Sequence, residues 1–143
     1  GIGGGMTAAP HVLVIDDDAK TRDLVAAFLG GAGYEVRGAE DGAAGLRLAA
    51  AEPPDVVILD LQMPGMDGYK VCQVLRRGLR TKRIPIVMLT ASDDPHLNRE
   101  AYAAGAQACV PKPFRQEGLI AAIEVAVSGM PHEKPKLSDP PAQ

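Results

Sequence analysis

The chain has 143 residues, which is enough for one domain with a hydrophobic core and too few for two ordinary domains. Its formal net charge of −3 argues against non-specific binding to nucleic acid. No apolar stretch approaches the length of a membrane span, and no signal-peptide pattern is present, so we expect a cytoplasmic protein without membrane contact.

The two ends of the chain differ in composition from the segment between them. Gly1–Gly5 precede Met6, and we expect residues 1–10 to comprise a cloning remnant and an N-terminal extension. Residues 129–143 are rich in proline and charge and have no apolar period, which predicts a flexible tail or the start of a linker. We therefore expect one folded domain over residues 11–128.

The predicted elements begin with the apolar run Val12–Ile15, which has the length and composition of a strand. A helix capped by Asp18 follows it and ends at one of the next glycines. The apolar residues expected on one side of this helix are Leu24, Val25, Phe28 and Leu29. A weaker strand, Tyr34–Arg37, precedes a predicted helix over Gly42–Ala51.

The second half of the chain repeats this alternation. Val56–Leu59 is a strong strand candidate, and a helix is predicted to begin at Asp67–Gly68. Ile86–Leu89 is the third strong candidate, before a helix over Asp94–Ala104. The weak strand Ala108–Val110 precedes a fifth helix. The apolar residues of that helix are spaced by three, four and seven positions: Leu119, Ile120, Ile123 and Val127.

Strand and helix therefore alternate five times. The strong apolar runs do not alternate with polar residues, which is typical of strands covered on both faces. Strands joined by helices form right-handed crossovers in a parallel sheet. We predict an α/β protein with one doubly wound sheet and helices on both faces.

Polar residues stand where the strong strands and the fifth strand end. Asp16 and Asp17 follow the first strand, Asp60 ends the run that starts at Val56, and Thr90 follows Leu89. Lys112 follows the weak fifth strand. Because the carboxyl ends of parallel strands share one edge, we expect these groups to meet in one crevice.

Such crowding of carboxylates needs a physical reason. Aspartates have an unperturbed pKa of about 3.9, so several of them together repel one another at neutral pH. A divalent cation relieves that repulsion, and oxygen ligands favour Mg²⁺ over zinc. A carboxylate can also act as a nucleophile toward phosphorus and form an aspartyl phosphate. Lys112 and Thr90 could then meet the charge on the phosphoryl oxygens.

Four segments of the sequence together resemble the receiver domain of bacterial response regulators. They are "VLVIDDD", "VVILDLQMPGMDG", "IPIVMLTAS" and "GAQACVPKPF", in the family's order and approximate spacing over about residues 11–127. The resemblance implies the flavodoxin-like (βα)5 fold with strand order 2-1-3-4-5. It also implies a phosphorylation-activated signalling switch of a two-component phosphorelay, which promotes only its own phosphorylation and dephosphorylation and is not a turnover enzyme.

The family's roles carry over to matching positions. Asp60 matches the phosphoacceptor, which takes a phosphoryl group from a sensor histidine kinase or a histidine phosphotransfer protein. Asp16 and Asp17 match the acidic pair that binds Mg²⁺, with Asp17 expected as the direct ligand. Asp60 and the backbone carbonyl of Gln62 match the remaining protein ligands, and Mn²⁺ is expected to substitute for Mg²⁺.

The resemblance also implies an output mechanism. Thr90 matches the switch hydroxyl and Lys112 the lysine that pairs with the phosphoryl group, and the Lys112–Pro113 bond is cis in much of the family. Cys109 stands where the family usually has an aromatic residue that turns inward on activation. We predict that the surface of the fourth helix, fifth strand and fifth helix still contacts a downstream partner or output domain, through backbone and loop shifts. Homodimerisation on phosphorylation is a further expectation.

Two other functions are compatible with parts of the pattern. A phosphohydrolase of the haloacid-dehalogenase type would use Asp16 as nucleophile with Asp18, but that family expects Thr or Val where this chain has Lys20. A receiver fold that no longer takes phosphate would be a pure binding module, against which the intact set of site residues argues.

The segment Arg76–Arg83 is the one dense basic stretch of the sequence. It is interpreted as a helix C-terminus and a solvated loop, with a docking patch for an acidic partner as the alternative. Cys72 and Cys109 have no metal-ligand spacing and are expected to be reduced.

Overall fold

The computed structural model describes residues 8–91 and 94–129, in which strands and helices alternate along the chain. The strands are β1 (His11–Ile15), β2 (Glu35–Ala39), β3 (Val56–Asp60), β4 (Ile86–Thr90) and β5 (Ala108–Pro111). The helices are α1 (Ala19–Gly30), α2 (Gly42–Ala51), α3 (Gly68–Arg77), α4 (Pro95–Ala104) and α5 (Gln116–Ser128).

The five strands form one parallel sheet in the order β2-β1-β3-β4-β5. The predicted doubly wound α/β fold and its strand order are therefore confirmed. The predicted tail over residues 129–143 lies outside the described residues except for Gly129, which caps α5. Residues 1–7 of the predicted N-terminal extension also lie outside them.

The sheet is buried on both faces, as the uninterrupted apolar runs predicted. Leu13 and Ile15 of β1 face a core shared with α2, α3 and α4, whereas Val12 and Val14 face a core shared with α1 and α5. All five residues of β3 and all five of β4 are buried. Since burying one such side chain stabilises the fold by about 1.5–3 kcal/mol, the two central strands form much of the core.

Aspartates begin four of the five helices. In each case the carboxylate accepts a hydrogen bond from a backbone N–H of the first turn, and the residues are Asp18, Asp41, Asp67 and Asp94. Each cap contributes about 1 kcal/mol because it satisfies a donor that the helix leaves free. The predicted cap at Asp18 is confirmed, so the third residue of the acidic run belongs to α1.

The predicted apolar sides of α1 and α5 are wrong in two positions. Leu24 is 40% exposed and Val127 is 43% exposed. On α1 the buried residues are Val25 and Leu29, and on α5 they are Leu119, Ile123 and Ala126. These buried residues are spaced by four or three positions, which places them on the helix face that packs on the sheet. Leu24 and Val127 lie off that face.

Arg76 is the first residue of the basic stretch, and it is not solvated as the sequence suggested. Its guanidinium donates to the carbonyl oxygens of Gly105 at 3.0 Å, Lys82 at 3.1 Å and Ile84 at 2.7 Å. It also donates to Oε1 of Gln107 at 2.6 Å. Arg76 thus joins the end of α3 to the segments that precede β4 and β5.

The remaining cations of the basic stretch follow the predicted pattern more closely. Arg77 lies in the last turn of α3, where a cation complements the helix dipole, and it is exposed. Arg80, Lys82 and Arg83 are exposed in the loop before β4. The alternative of a docking patch stays a hypothesis.

The longest helix of the described residues, α5, has 13 residues. None of the helices in those ranges is long and apolar enough to cross a bilayer.

Replacing Arg76 with methionine should lower the free energy of unfolding by about 2–4 kcal/mol, because three partly buried hydrogen bonds and one exposed hydrogen bond are lost. Urea unfolding at neutral pH measures this loss. Arg77→Met is the matched control, since it removes the neighbouring exposed cation and should change stability by no more than about 0.5 kcal/mol. Equal destabilisation by the two substitutions would contradict the role of Arg76.

Candidate functional site

The polar residues predicted at the strand ends do meet at one edge of the sheet. Asp60 is the last residue of β3 and lies opposite Leu89, and Thr90 is the last residue of β4. Asp16 follows β1 directly, and Lys112 follows β5. Parallel register places these ends side by side, so residues 96 positions apart in sequence come into hydrogen-bond contact.

Asp16 is fully buried, with 0% of its surface exposed. Its Oδ1 accepts a hydrogen bond from the backbone N–H of Asp18 at 2.9 Å, and its Oδ2 accepts one from Nζ of Lys112 at 3.0 Å. A buried carboxylate is tolerated only when it is paired in this way, since an unpaired one would be strongly destabilising. Both oxygens of Asp16 are therefore engaged.

Asp60 is 7% exposed and lies between charges of both signs. Its Oδ1 is 3.3 Å from Nζ of Lys112, and its carboxylate accepts a hydrogen bond from the backbone N–H of Gln62. Burial and the negative charge of Asp16 raise the pKa of Asp60, although Lys112 and the Gln62 hydrogen bond oppose the change. The folded protein thus destabilises the charged form of Asp60 relative to its protonated form.

Lys112 bridges the two carboxylates. Burial alone would lower the pKa of its ammonium, but the hydrogen bonds and charges of Asp16 and Asp60 outweigh burial and raise it. The Lys112–Pro113 bond is cis, as the resemblance implied. The lysine is therefore a fixed positive charge at the acidic edge.

Thr90 is 1% exposed, and its backbone is tied to the lysine. The backbone N–H of Lys112 donates to the carbonyl oxygen of Thr90 at 2.7 Å, one residue beyond the pairing of Thr90 with Pro111. This bond holds the ends of β4 and β5 together, so Thr90 lies on the strand end between those of Asp60 and Lys112.

The carboxylates of Asp16, Asp17 and Asp60 form a cluster in which one oxygen of each lies within 4.8 Å of the others. Asp16 and Asp60 are buried and Asp17 is exposed. Asp16 and Asp60 share the ammonium of Lys112, and Asp17 adds a third carboxylate, so the cluster carries excess negative charge. An all-oxygen donor set with an open side fits a hard divalent cation such as Mg²⁺, which retains several water ligands.

Gly68, which was predicted only as part of the helix start Asp67–Gly68, also shapes the site. A Cβ atom at Gly68 would lie 2.5 Å from the carbonyl oxygen of Asp60 and 2.7 Å from Cα of Leu61. The backbone N–H of Gly68 donates to the carbonyl oxygen of Leu61 at 2.7 Å. The start of α3 therefore packs directly on the backbone that carries Asp60, and the glycine after the cap Asp67 was the available signal.

Cys109 lies on β5 outside the acidic cluster, opposite Met88 of β4. It is half-buried, packed against the core that includes α3 and α4. Burial raises the pKa of its thiol, and a hydrogen bond from Tyr102 of α4 partly opposes this. A thiol in its neutral form is a poor nucleophile, so the structure favours a packing role for Cys109.

Comparisons with known proteins agree with this geometry. The family model described as "Response regulator receiver domain" matches residues 12–124. The chain is 43% identical over 114 residues to "DNA-binding dual master transcriptional regulator RpaA" of Synechocystis sp., which covers 80% of this chain and 47% of that protein. It is 41% identical over 111 residues to "Response regulator MprA" of Mycolicibacterium vanbaalenii, covering 78% of this chain and 47% of the relative. The chain thus spans about half the length of these curated relatives.

Solved structures show the same fold in whole receiver chains. The chemotaxis protein CheY4 of Vibrio cholerae superposes with a TM-score of 0.79 at 36% identity, covering 83% of this chain and 99% of that one. The signal receiver domain of a signal transduction histidine kinase from Syntrophus aciditrophicus gives a TM-score of 0.76 at 26% identity, covering 92% and 100%. Sequence motifs, strand order and family match agree, and the chain belongs to the response regulator receiver domain family of two-component signalling proteins.

Proposed function

We propose that this receiver domain is a phosphorylation-activated switch in which Asp60 accepts a phosphoryl group in the presence of Mg²⁺. The observation that carries the proposal is the position of Asp60, a buried carboxylate 3.3 Å from Lys112 and within 4.8 Å of Asp16 and Asp17. The proposed nucleophile, a fixed cation and the proposed cation-binding pair thus lie together at one edge of the sheet.

The arrangement favours Asp60 over Asp16 as the nucleophile. Both carboxylate oxygens of Asp16 are already hydrogen-bonded, and none of its surface is exposed. Asp60 keeps some exposure, and its raised pKa indicates a carboxylate that its surroundings do not stabilise fully. This difference supports the switch over the phosphohydrolase alternative, which requires Asp16 as nucleophile.

The proposed reaction moves one phosphoryl group. A carboxylate oxygen of Asp60 attacks phosphorus, an O–P bond forms, and the N–P bond to a donor histidine breaks, so that its electron pair returns to the imidazole. Lys112 is already 3.3 Å from Asp60 and can remain paired with the negative charge as it spreads to the phosphoryl oxygens. Thr90 is proposed as the hydroxyl that hydrogen-bonds to the phosphoryl group and changes orientation with it.

The metal ligands proposed for Mg²⁺ are Asp16, Asp17, Asp60 and the backbone carbonyl of Gln62, with Asp17 as the direct ligand of the acidic pair. When bound, Mg²⁺ would neutralise negative charge on the carboxylates and on the phosphoryl oxygens. The exposure of Asp17 and the engagement of both oxygens of Asp16 support this division. Mn²⁺ has similar oxygen preferences and is expected to substitute.

The proposed phosphoryl donors are a sensor histidine kinase or a histidine phosphotransfer protein. We propose that phosphorylation changes the surface formed by α4, β5 and α5 and so acts on a downstream partner or output domain, with homodimerisation as one form of output. One relative is titled a DNA-binding regulator, but this chain spans only 47% of it, and we propose no direct nucleic-acid contact for the domain itself. Two free cysteines are consistent with a cytoplasmic location.

Treatment with acetyl phosphate and Mg²⁺ should add one phosphoryl group to the wild-type protein, measured as intact mass. Asp60→Asn and added EDTA should each abolish the gain. Asp67→Asn is the matched control, because Asp67 lies at the end of the loop that follows β3 and asparagine caps a helix equally well. No gain in the wild-type protein from either acetyl phosphate or a phosphorylated histidine donor would favour the binding-module alternative. Phosphatase turnover that persists in Asp60→Asn would favour the phosphohydrolase.

Asp60→Asn should raise the thermal unfolding midpoint in EDTA at neutral pH. The folded state raises the pKa of Asp60 above its ordinary 3.8, so the wild-type protein loses stability as the pH rises through the folded-state pKa. The advantage of the variant should therefore disappear as the pH falls below 3.8, where Asp60 is protonated in both the folded and the unfolded state. Added Mg²⁺ should raise the midpoint of the wild-type protein more than that of the variant. A variant no more stable than wild type at neutral pH would contradict this electrostatic account.

Phosphorylation should change amide hydrogen exchange over about residues 91–115, because the proposed output travels through backbone and loop shifts rather than an aromatic ring at Cys109. The measurement compares protein with and without acetyl phosphate by mass spectrometry, using Asp60→Asn to exclude effects of the reagent. Helix α2 provides an internal reference on a different part of the sheet. Unchanged exchange over residues 91–115 in fully phosphorylated protein would contradict this route.

A further inference from the structure

Arg22 of α1 binds the backbone beside the acidic cluster. Its Nη1 donates to the carbonyl oxygen of Asp16 at 2.7 Å, and the residue is partly buried. That carbonyl belongs to the peptide unit that joins Asp16 to Asp17. Since a peptide unit is planar, holding its oxygen restricts the direction in which the backbone leaves toward Asp17.

This contact completes the fixation of Asp16. Its backbone N–H donates to the carbonyl oxygen of Ala39 at 3.1 Å, and its two carboxylate oxygens accept from Asp18 and Lys112. Arg22 supplies the remaining bond, at the carbonyl. The β1–β2 pairing ends at Ile15 and Ala39. The Arg22 side chain therefore holds the backbone just beyond the last paired residue of β1.

Two features of Arg22 argue that its hydrogen bond to the Asp16 carbonyl has a specific role. It lies in the first turn of α1, where a positive charge opposes the helix dipole. Within residues 8–91 and 94–129 its guanidinium forms no ion pair with a carboxylate. The guanidinium is therefore held here by a hydrogen bond to the Asp16 carbonyl and not by a direct ion pair.

Gly38 of β2 makes room for this arginine. A Cβ atom at Gly38 would lie 3.2 Å from Cδ of Arg22 and 3.8 Å from Cγ1 of Val14. Gly38 is not among the glycines with positive φ, so alanine fits its backbone conformation. An added methyl group would instead press on the stem of Arg22, which provides a second way to disturb the contact.

We propose that Arg22 is a positioning residue of the metal site: it holds the Asp16–Asp17 peptide so that the exposed carboxylate of Asp17 stays beside those of Asp16 and Asp60. The inference rests on the proposed Mg²⁺ site. Without Arg22 the peptide can rotate, and the three carboxylates no longer keep the spacing that a small cation requires.

The test compares four variants with wild type by calorimetric titration with Mg²⁺ and by phosphorylation with acetyl phosphate. Arg22→Met keeps an unbranched apolar stem but cannot donate, and it should raise the Mg²⁺ dissociation constant by about tenfold, as loss of an outer-shell contact typically does. Arg22→Lys should recover part of the affinity, and Gly38→Ala should weaken binding less than Arg22→Met. Lys20→Met is the matched control, because it removes an exposed cation from the same helix turn and should leave the affinity unchanged.

Two further readouts separate positioning from general loss of structure. In EDTA, the amide NMR signals of residues 16–18 should shift in Arg22→Met while signals of β4 and α4 remain in place. Saturating Mg²⁺ should restore the phosphorylation rate of Arg22→Met. If Arg22→Met fails to fold, Arg22→Lys and Gly38→Ala decide the question by the same titration.

The proposal is overturned if folded Arg22→Met binds Mg²⁺ with a dissociation constant within twofold of that of wild type. It is also overturned if the only change is in the dependence of the phosphorylation rate on acetyl phosphate concentration, because Arg22 would then act on binding of the phosphoryl donor. Wild-type protein that binds no Mg²⁺ would overturn the metal site and this inference together. Wild-type protein that binds Mg²⁺ but takes no phosphoryl group on Asp60 would overturn the proposed function alone, because the titration still measures the effect of Arg22.

Discussion

The ion pair between the buried Asp16 and the partly buried Lys112 is the contact on which the functional edge depends. It joins the end of β1 to the residue after β5 at 3.0 Å, across the ends of β3 and β4. Desolvation makes a buried pair a weak source of net stability, but removing one partner leaves an uncompensated charge that costs several kcal/mol. The pair therefore acts mainly as a constraint that specifies where the lysine lies, and the lysine in turn lies beside Asp60.

The functional edge also carries a surplus of negative charge. One ammonium is shared by Asp16 and Asp60, and the exposed Asp17 adds a third carboxylate. The core could have been built more stably with apolar residues, since charged groups at strand ends contribute repulsion and desolvation. Such local cost is characteristic of functional sites, and here it leaves Asp60 with a raised pKa in the absence of metal.

A second cation has a structural role away from this edge. Arg76 binds three backbone carbonyls and Gln107, and Gly105 leaves room for it, because a Cβ there would lie 2.7 Å from Cγ of Arg76. Lys112 and Arg76 are both partly buried cations, but only Lys112 is paired with carboxylates. Carbonyl oxygens cannot attack phosphorus, and they carry no net charge that a metal could neutralise. The partners of Lys112 can therefore form a reactive site, whereas the partners of Arg76 form a structural junction.

The sequence by itself determined the fold class, the order of elements and most of their bounds. Uninterrupted runs such as Val56–Leu59 are typical of strands in a sheet covered on both faces, and Asp18 or Asp67 before an apolar period can serve locally as a helix cap. The four motifs also identified Asp16, Asp60, Thr90 and Lys112 as site candidates, and parallel register then brings strand ends to one edge. These features depend on local chemistry or on topology, and both can be read along the chain.

Only the tertiary structure decided which polar groups contact one another. The contacts of Arg22, Arg76 and Gly68 could not be predicted from the sequence, because a residue pattern does not show which carbonyl an arginine binds or which backbone lies too close for a Cβ. The same holds for Leu24 and Val127, whose exposure depends on how each helix is rotated over the sheet. Contacts between distant segments are set by three-dimensional packing, which one-dimensional periodicity does not encode.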